Sequence, residues 1–342
     1  MFEHGESRME SVGVSTIVVN GTRVREFLPM RECIDAMERA LRALTRGRAV
    51  VPLRPVVRIP GENAGALAVM PAYLDDPRSL GVKAISVFPA NEGTVHDSHQ
   101  GAVLFFDPDR GALVAIMDAG AITAVRTAAV SGVATRLLAR PDAGDLAIVG
   151  AGVQAHSHLE AMRAVRPVRR VRVWSRTPAR AGEFARQYNG PGLAVTAVAT
   201  PREAVERADL VCTVTSAREP VVMGDWLAPG THLNVVGASI AAAREVDTNA
   251  LLRSACFVDR RESALREAGD LVIPIRDGAV DESHIRAELG EILEGTEGGR
   301  ATADEITLFK SVGLAVEDLG AADIIYRRAR ADASVPRIEL GR

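Results

Sequence analysis

The chain has 342 residues, of which 47% are hydrophobic and 25% charged, and this balance is typical of a globular protein longer than one average domain. A formal net charge of -3 and an aromatic content of 4% exclude the basic, stacking surface that nucleic-acid binding requires. Three distant cysteines without metal-binding spacing favour a reducing, cytoplasmic setting, and the lack of any apolar run of about 18 residues argues against a membrane span.

The first third of the chain predicts one helix followed by a mostly antiparallel sheet. Apolar residues recur with helical spacing over 30–44, and Gly47 stops this helix. A β-rich stretch follows, and the turn residues over 107–111 are typical of a hairpin. The apolar runs of this stretch are 50–59, 66–70, 82–88, 103–106 and 113–117.

After Gly120 the pattern changes to helices that alternate with buried strands. The Ala-rich stretch 121–139 predicts a long helix, which Pro141 ends. Such alternation predicts a parallel sheet covered by helices. From about Ala303, apolar spacing predicts one final amphipathic helix. The strands predicted in this part are 146–149, 171–174, 193–198, 210–215, 232–236 and 256–258.

Residues 145–155 form a short buried strand that runs into the pattern G-x-G-x-x-A. Gly150 permits a tight turn, Gly152 lets backbone N–H groups approach a pyrophosphate, and Ala155 lets the next helix pack close to the strand. Because a strand precedes this loop and a helix follows it, we predict a dinucleotide site rather than a plain glycine turn. The predicted cofactor-binding residues of the loop are Gly150, Ala151, Gly152, Val153 and Gln154.

The end of the second predicted strand distinguishes between the two nicotinamide cofactors. NAD enzymes place an acid there, which hydrogen-bonds the ribose 2′-hydroxyl, but this chain has Ser175, Arg176 and Thr177. Hydroxyl groups and a guanidinium suit a 2′-phosphate, so NADP(H) is favoured and NAD(H) is the alternative. The alternative interpretation of Arg176 is a solvated surface residue in an arginine-rich chain.

Three cations stand in otherwise apolar segments. Lys83 and Arg54 interrupt predicted strands, and Arg126 lies in the predicted Ala-rich helix. Burying an unpaired charge costs several kcal/mol, so three such cations in one cleft would need an anion. A substrate carboxylate would supply it, held by the arginines, while Lys83 acts as a point charge or a proton donor. The alternative for any one of them is exposure to water, which is the usual state of an isolated arginine.

With these residues, the chain resembles the ornithine cyclodeaminase/mu-crystallin family, nearer its ketimine-reductase branch, over nearly its whole length. The matching stretches are 69–73 (VMPAY), 98–100 (SHQ), 114–118 (VAIMD), 122–131 (ITAVRTAAVS), 150–158 (GAGVQAHSH), 235–239 (VVGAS), 287–291 (AELGE) and 309–311 (FKS). The resemblance implies a homodimer with an α/β fold. Residues 1–122 and 305–342 would form an α+β substrate-binding and dimerisation domain, and residues 123–304 a Rossmann-type, doubly wound NAD(P)-binding domain.

The resemblance also assigns residues to the site. It implies that Arg54, Lys83 and Arg126 bind the substrate carboxylate, and that Met70 lies beside the substrate. The contacts that it implies on the nicotinamide side are Ser98, His99, Thr213, Thr215, Val236 and Ser239. His96 and His99 have a spacing seen in metal sites, but no further ligand cluster accompanies them, so no metal site is predicted.

Two departures separate the chain from the cyclodeaminase branch. That branch carries an aspartate where this chain has Ser239, and a glutamate just before the Met-Pro step, where this chain has Ala68 and Val69. Both acids that handle the substrate amine are therefore missing, unless another acid such as Asp270 replaces the first.

The sequence thus predicts an NADPH-dependent imine or ketimine reductase, or an amino-acid dehydrogenase, that transfers hydride at the α-carbon of a small carboxylate-bearing imino or amino acid. One alternative is an ornithine cyclodeaminase-type ammonia lyase that recycles NAD. The other is a crystallin-like protein that binds NADPH and a small ligand without turnover.

Overall fold

The computed structural model of the protein describes residues 15–61, 64–91 and 94–340. The predicted helix over 30–44 and the predicted hairpin turn over 107–111 are both present. The elements of the first part are β1 (Ser15–Val19), α1 (Gly21–Phe27), α2 (Met30–Thr45), β2 (Ala49–Val50), β3 (Val56–Ile59), β4 (Gly65–Asp75), β5 (Arg78–Val87), β6 (His99–Phe106) and β7 (Leu113–Asp118).

The middle of the chain alternates helices and strands, as predicted. Its elements are α3 (Ala119–Leu138), β8 (Asp145–Val149), α4 (Val153–Val165), β9 (Arg170–Trp174), α5 (Pro178–Tyr188), β10 (Ala194–Ala197), α6 (Pro201–Val205), β11 (Leu210–Thr213), β12 (His232–Val235), α7 (Thr248–Leu252), β13 (Ser254–Val258), α8 (Arg261–Glu267), α9 (Gly269–Arg276), β14 (Ile285–Glu288) and α10 (Leu289–Glu294). The last elements are β15 (Ile306–Lys310), α11 (Ala315–Ala331) and β16 (Arg337–Glu339).

The first sheet has the order β16-β1-β7-β6-β5-β4-β2 among the described residues, with β3 paired to β4. Its strands are antiparallel except for the parallel pair β1 and β7. Helix α11 packs on β4 and β5 and also contacts α2 and α3. Residues from both ends of the described chain therefore build this part of the molecule.

The second sheet is parallel throughout and has the order β10-β9-β8-β11-β12-β15-β13-β14. Helices alternate with its strands along the chain, which is the doubly wound Rossmann-type arrangement that the sequence predicts. Helix α3 contacts α2, α4, β6 and β12, so it lies between the two sheets. Its apolar residues run around the whole helix, as expected for a helix that is buried on all sides.

The prediction of one final helix from about Ala303 was wrong at its start. Residues 306–310 instead form β15, which is buried along its length and lies between β12 and β13. The segment Ile-Thr-Leu-Phe-Lys is rich in β-branched and aromatic residues, which suit a central parallel strand. The predicted division at residue 305 therefore assigned β15 to the first domain, whereas its pairing places it in the second sheet.

The predicted strand over 50–59 is also interrupted. Residues 51–55 pair in no strand, because Pro52 and Pro55 lack the N–H groups that a strand interior requires. Arg54 therefore lies in a loop between β2 and β3 rather than in a strand. None of the described helices combines the length and the apolar character that are needed to cross a bilayer.

Candidate active site

The glycine loop joins β8 to α4. Gly150 has a φ of 112°, in the region that favours glycine, and a Cβ there would lie 2.6 Å from the Val214 carbonyl oxygen. Gly152 is the N-cap of α4 and provides no side-chain cap, while a Cβ at this position would meet open space. The first N–H groups of α4 therefore face an open cradle, and this geometry fits a pyrophosphate.

The loop lies at the point where the strand order of the second sheet reverses. From β8, the chain places β9 and β10 on one side and β11 and β12 on the other. Open parallel sheets bind ligands at the carboxyl ends of their strands at such a point. The residues that follow these strand ends include Thr215 after β11 and Ser239 after β12, while Val236 directly follows β12. The structure therefore brings these predicted cofactor contacts to one edge of the sheet.

The segment from Ser175 to Thr177 follows directly after β9, next to the glycine loop. Arg176 and Thr177 are exposed, and the Thr177 N–H donates to Ser175 Oγ over 3.2 Å. The three residues include no carboxylate.

Two predicted contacts on the nicotinamide side are held by a residue that the sequence did not single out. The hydroxyl groups of Thr213 and Thr215 both donate to the Glu245 carboxylate over 2.7 Å. Glu245 is fully buried. Its segment, Ala-Ala-Arg-Glu-Val, carries no local signal that one acid faces the interior.

Lys83 and Arg126 share one buried carboxylate. Lys83, on β5, is 3% exposed, and its Nζ lies 2.7 Å from Asp318 Oδ2. Arg126, on α3, donates from Nε to Asp318 Oδ1 over 2.9 Å and from Nη1 to Glu317 Oε2 over 2.7 Å. Both acids belong to the first turn of α11. This part of the site therefore combines β5, α3 and α11.

Arg54 approaches the same cluster from its loop. Its Nε donates to both carboxylate oxygens of Glu267 over 2.9 Å, and its Nη2 donates to the Val312 carbonyl over 3.0 Å. Its Nη1 lies 4.0 Å from the sulfur of Met70, which faces Lys83 in the register of β4 and β5. The structure therefore brings the three predicted cations and Met70 together.

In the structure, these three cations do not need a substrate anion to balance their charge, so that prediction was wrong. Each of them already has a carboxylate of the protein as its partner, and these partners were missed in the sequence. Glu317 and Asp318 begin a helix, where acids are common for reasons of the helix dipole alone, so their position gave no signal.

Burial and mutual repulsion set the protonation of this cluster. Burial lowers the pKa of Lys83 most, the charge of Arg126 lowers it further, and Asp318 offsets this in part, which leaves the pKa at about 8. Burial raises the pKa of Glu317 to about 7, although Arg126 opposes this rise. Burial also disfavours the charge of Arg126, but Asp318 and Glu317 outweigh it and raise the pKa of that guanidinium.

A short hydrogen-bonded path joins the cation cluster to the glycine loop. Lys83 Nζ donates to Thr123 Oγ1 over 3.5 Å, and Gln154 Nε2 donates to the Thr123 carbonyl over 3.4 Å. Thr123 lies on α3 and is the single residue that bonds both to Lys83 in the cation cluster and to Gln154 at the glycine loop. The sequence did not point to Thr123, because a threonine in an apolar helix is unremarkable.

Ser98 and His99 lie where β6 begins, and Ser98 Oγ is 3.0 Å from His99 Nδ1. His99 pairs with Val87 at the end of β5, and its carbonyl oxygen lies 3.6 Å from where a Cβ on Gly120 would be. His99 therefore lies beside the start of α3, and Ser98 precedes it in the chain. Among the described residues, no group of three or more His, Cys, Asp or Glu side chains is arranged to hold a metal ion.

Asp270 does not replace the missing amine-handling acid. It is 1% exposed, its Oδ2 lies 2.9 Å from Lys310 Nζ, and its Oδ1 accepts the N–H groups of Glu245 and Val246. Its carboxylate is therefore committed to the interior of the second sheet rather than to the cleft. Ser239, by contrast, is exposed.

Nearly the whole chain is similar to known proteins. The model of the ornithine cyclodeaminase/mu-crystallin family matches residues 14–333. Ketimine reductase mu-crystallin of Mus musculus is 41% identical over 296 residues, which cover 86% of this chain and 90% of the relative.

Two solved structures have closely similar folds. Thermococcus litoralis Delta(1)-pyrroline-2-carboxylate reductase in complex with NADH and L-proline superposes with a TM-score of 0.90 at 41% identity, covering 92% of this chain and 98% of that one. An archaeal alanine dehydrogenase dimer with bound NAD superposes with a TM-score of 0.89 at 29% identity, covering 96% and 100%.

Proposed function

The chain belongs to the ornithine cyclodeaminase/mu-crystallin family, and on that premise we propose that it reduces a small cyclic imine that carries a carboxylate, with a nicotinamide cofactor as the reductant. The enzyme class is that of NAD(P)-dependent oxidoreductases acting on C=N bonds. The observation that carries the proposal is Lys83, a buried ammonium that one threonine connects to the glycine loop.

The arginines bind the substrate carboxylate in this proposal. Glu317 and Asp318 use Nε and Nη1 of Arg126, so Nη2 is not used by either bond. The Glu267 and Val312 contacts of Arg54 leave its Nη1 beside Met70. The protein carboxylates hold both guanidinium groups in fixed orientations, which lowers the entropy that is lost when a substrate binds. We therefore propose that Arg54 and Arg126 bind the substrate even though each is also paired with a carboxylate of the protein.

Reduction of a C=N bond requires a hydride at carbon and a proton at nitrogen. The reduced nicotinamide, when bound, supplies the hydride to the α-carbon. Lys83 supplies the proton to the imine nitrogen and becomes a neutral amine, which takes up a proton again from solvent. A pKa of about 8 suits this role, because a general acid works best when its pKa is close to the working pH.

The missing acids support reduction over cyclodeamination. Ser239 stands where cyclodeaminases need a carboxylate, and a serine hydroxyl has no useful basicity near neutral pH without a neighbouring base. Asp270 cannot substitute, since it is buried and paired with Lys310.

For the cofactor we propose NADPH over NADH. The support is the segment from Ser175 to Thr177, which has hydroxyl and guanidinium groups where NAD enzymes place an acid. The two related structures hold NADH and NAD, so the preference is open to a direct test. NADPH should bind with a lower Kd than NADH, and Arg176→Ala should remove most of the difference. Equal Kd values in the unmodified protein would contradict the preference.

We also propose a homodimer that forms through the first sheet. Apolar side chains on β2, β3 and β4 are exposed in the single chain, and Val57 is 63% exposed. Such a patch is typical of a protein interface, and one neighbour is a dimer. In this proposal the first sheet with α11 is the substrate-binding and dimerisation domain, and the second sheet is the cofactor domain. The three free, buried cysteines support a reducing, cytoplasmic location.

The proposal is tested by offering both reactions to the purified protein. Delta(1)-pyrroline-2-carboxylate with NADPH should be reduced to proline, with one NADPH consumed for each proline formed. Ornithine with a trace of NAD should give neither proline nor ammonia above background. Robust proline and ammonia formation from ornithine would restore the lyase alternative. Tight NADPH binding without any turnover of cyclic imines would instead favour the non-catalytic alternative.

A further inference from the structure

Three buried charged residues pack against the carboxyl ends of the central strands β11 and β12 in the second sheet. Glu245 and Lys310 are 0% exposed, and Asp270 is 1% exposed. They come from three separate segments. Lys310 ends β15, Asp270 lies in the first turn of α9, and Glu245 lies between β12 and α7. The reaction proposed above uses none of them.

Glu245 joins the ends of two neighbouring strands. Its Oε1 accepts from both the N–H and the hydroxyl of Thr215 over 2.7 Å. Its Oε2 accepts from the Thr213 hydroxyl over 2.7 Å and from the Gly237 N–H over 2.6 Å. The two strand ends are close here, because a Cβ on Gly237 would lie 2.1 Å from the Thr215 carbonyl oxygen.

Asp270 and Lys310 fix the backbone of Glu245 and of the segment 237–238. Asp270 accepts the backbone N–H of Glu245 over 2.7 Å. Lys310 Nζ lies 2.9 Å from Asp270 Oδ2 and donates to the Ala238 carbonyl over 2.5 Å. The residue after Gly237 is therefore fixed by Lys310, while Gly237 itself is fixed by Glu245. Burial raises the pKa of Glu245, and the charge of Lys310 opposes this rise.

Fold stability alone does not account for such a cluster. Replacing buried ion pairs by well-packed apolar residues is often neutral or stabilising. The hydrogen bonds of this cluster instead converge on Thr213, Thr215 and the segment 237–238. These residues lie at the carboxyl ends of β11 and β12, where an open parallel sheet has its ligand crevice. Groups that must hold a ligand in one geometry are commonly fixed by a supporting shell of this kind.

We propose that Glu245, held by Asp270 and Lys310, is a positioning residue for the nicotinamide half of the bound cofactor. In this proposal, the glycine loop and the segment from Ser175 to Thr177 bind the adenosine half. The inference rests on the proposed function, because it takes the crevice to be a nicotinamide dinucleotide site.

The test compares two ligands that differ by the nicotinamide group. NADPH has both halves, whereas 2′-phospho-ADP-ribose lacks the nicotinamide. Glu245→Gln replaces one of two acceptor oxygens by an NH₂ group, which faces N–H and O–H donors and cannot accept from them. We expect the Kd of NADPH to rise at least about tenfold and kcat to fall, while the Kd of 2′-phospho-ADP-ribose changes less than about twofold. Titration calorimetry measures both Kd values.

Asp209→Asn is the matched control. Asp209 also accepts two backbone N–H groups, those of Gly144 and Asp145, but at the amino end of β8, on the opposite edge of the same sheet. This variant should lower stability and leave both Kd values and kcat unchanged. Asp270→Asn serves if Glu245→Gln does not fold, because it keeps the shape, replaces the oxygen that faces Lys310 by an uncharged NH₂ group and leaves Oδ1 to accept the N–H of Glu245. We expect the same selective loss of NADPH binding.

An equal rise of both Kd values, or no rise in either, would overturn the inference. A rise confined to NADPH in the Asp209→Asn control would also overturn it. If the unmodified protein bound neither ligand, the proposed function would fail first. Should NADH bind more tightly than NADPH, NADH and ADP-ribose form the equivalent pair.

Discussion

The chain contains two lysines, one in each part of the molecule, and both are buried beside an aspartate. Lys83 lies 2.7 Å from Asp318 in the first part, and Lys310 lies 2.9 Å from Asp270 in the second. Their other neighbours differ. Lys83 has two arginines and a threonine hydroxyl nearby, whereas Lys310 donates to a backbone carbonyl and has a second carboxylate, Glu245, close by.

A buried ion pair therefore has no fixed role, because its other neighbours decide what it does. Burial lowers the pKa of Lys83 to about 8, with a further contribution from the charge of Arg126, so Lys83 can donate its proton near neutral pH. Lys310 instead lies near two carboxylates, those of Asp270 and Glu245, and donates to the Ala238 carbonyl. We therefore interpret Lys83 as a chemical group and Lys310 as part of the scaffold, and three predictions test this contrast.

The largest expected effect concerns proton donation. Lys83→Arg keeps the positive charge, but a guanidinium gives up its proton far less readily, so kcat should fall by about 10²-fold to 10⁴-fold. Steady-state oxidation of NADPH with a cyclic imine measures it. The Kd of NADPH and the urea midpoint of unfolding should stay close to those of the unmodified protein. Near-normal kcat in this variant would reduce Lys83 to a binding residue and remove the contrast.

The second prediction concerns stability. Lys310→Met leaves Asp270 buried with only backbone partners, and losing one member of a buried pair should lower the free energy of unfolding by about 3–5 kcal/mol. Lys83→Met should cost less, because Asp318 keeps its bond from Arg126 and the repulsion between Lys83 and Arg126 disappears. Urea denaturation of both variants provides the comparison. The opposite order of stability would show that the two environments have been misjudged.

The smallest expected effect is a shift in pH dependence. Lys83 must be protonated to act as the acid, so kcat/KM should fall about tenfold per pH unit as the pH rises above about 8. Asp318 raises the pKa of Lys83, and Asp318→Asn should therefore move this decline to lower pH by about 1–3 units. The control Asp209→Asn should leave it in place. A decline that Asp318→Asn does not move must arise from another group.

Local pattern was enough to predict the main elements and the glycine loop. The helical spacing over 30–44 and the strand, loop and helix around Gly150 each depend on neighbours in sequence, and the structure has α2 and the β8–α4 connection there. The prediction failed at Ile306–Lys310, because a short apolar run fits a helix and a central strand equally well.

The partners of the charged residues could not be predicted. Arg54 and Glu267 are 213 positions apart, and Arg126 and Asp318 are 192 apart. No local rule connects such residues, since only the packing of α3, α11 and α8 brings them together. The cations are therefore recognisable in the sequence by their apolar surroundings, whereas the acids stand in ordinary polar segments and are not.

Strand β15 also has a consequence for how the chain matures during synthesis. β13 and β14 join the rest of the second sheet through β15, and the first sheet receives its edge strand β16 from residues 337–339. Neither sheet is complete until the ribosome has released almost the whole chain. A nascent chain that ends before residue 306 leaves β12 and β13 with unpaired edges, and such edges are prone to aggregate. Premature termination therefore yields incomplete versions of both sheets rather than one finished sheet.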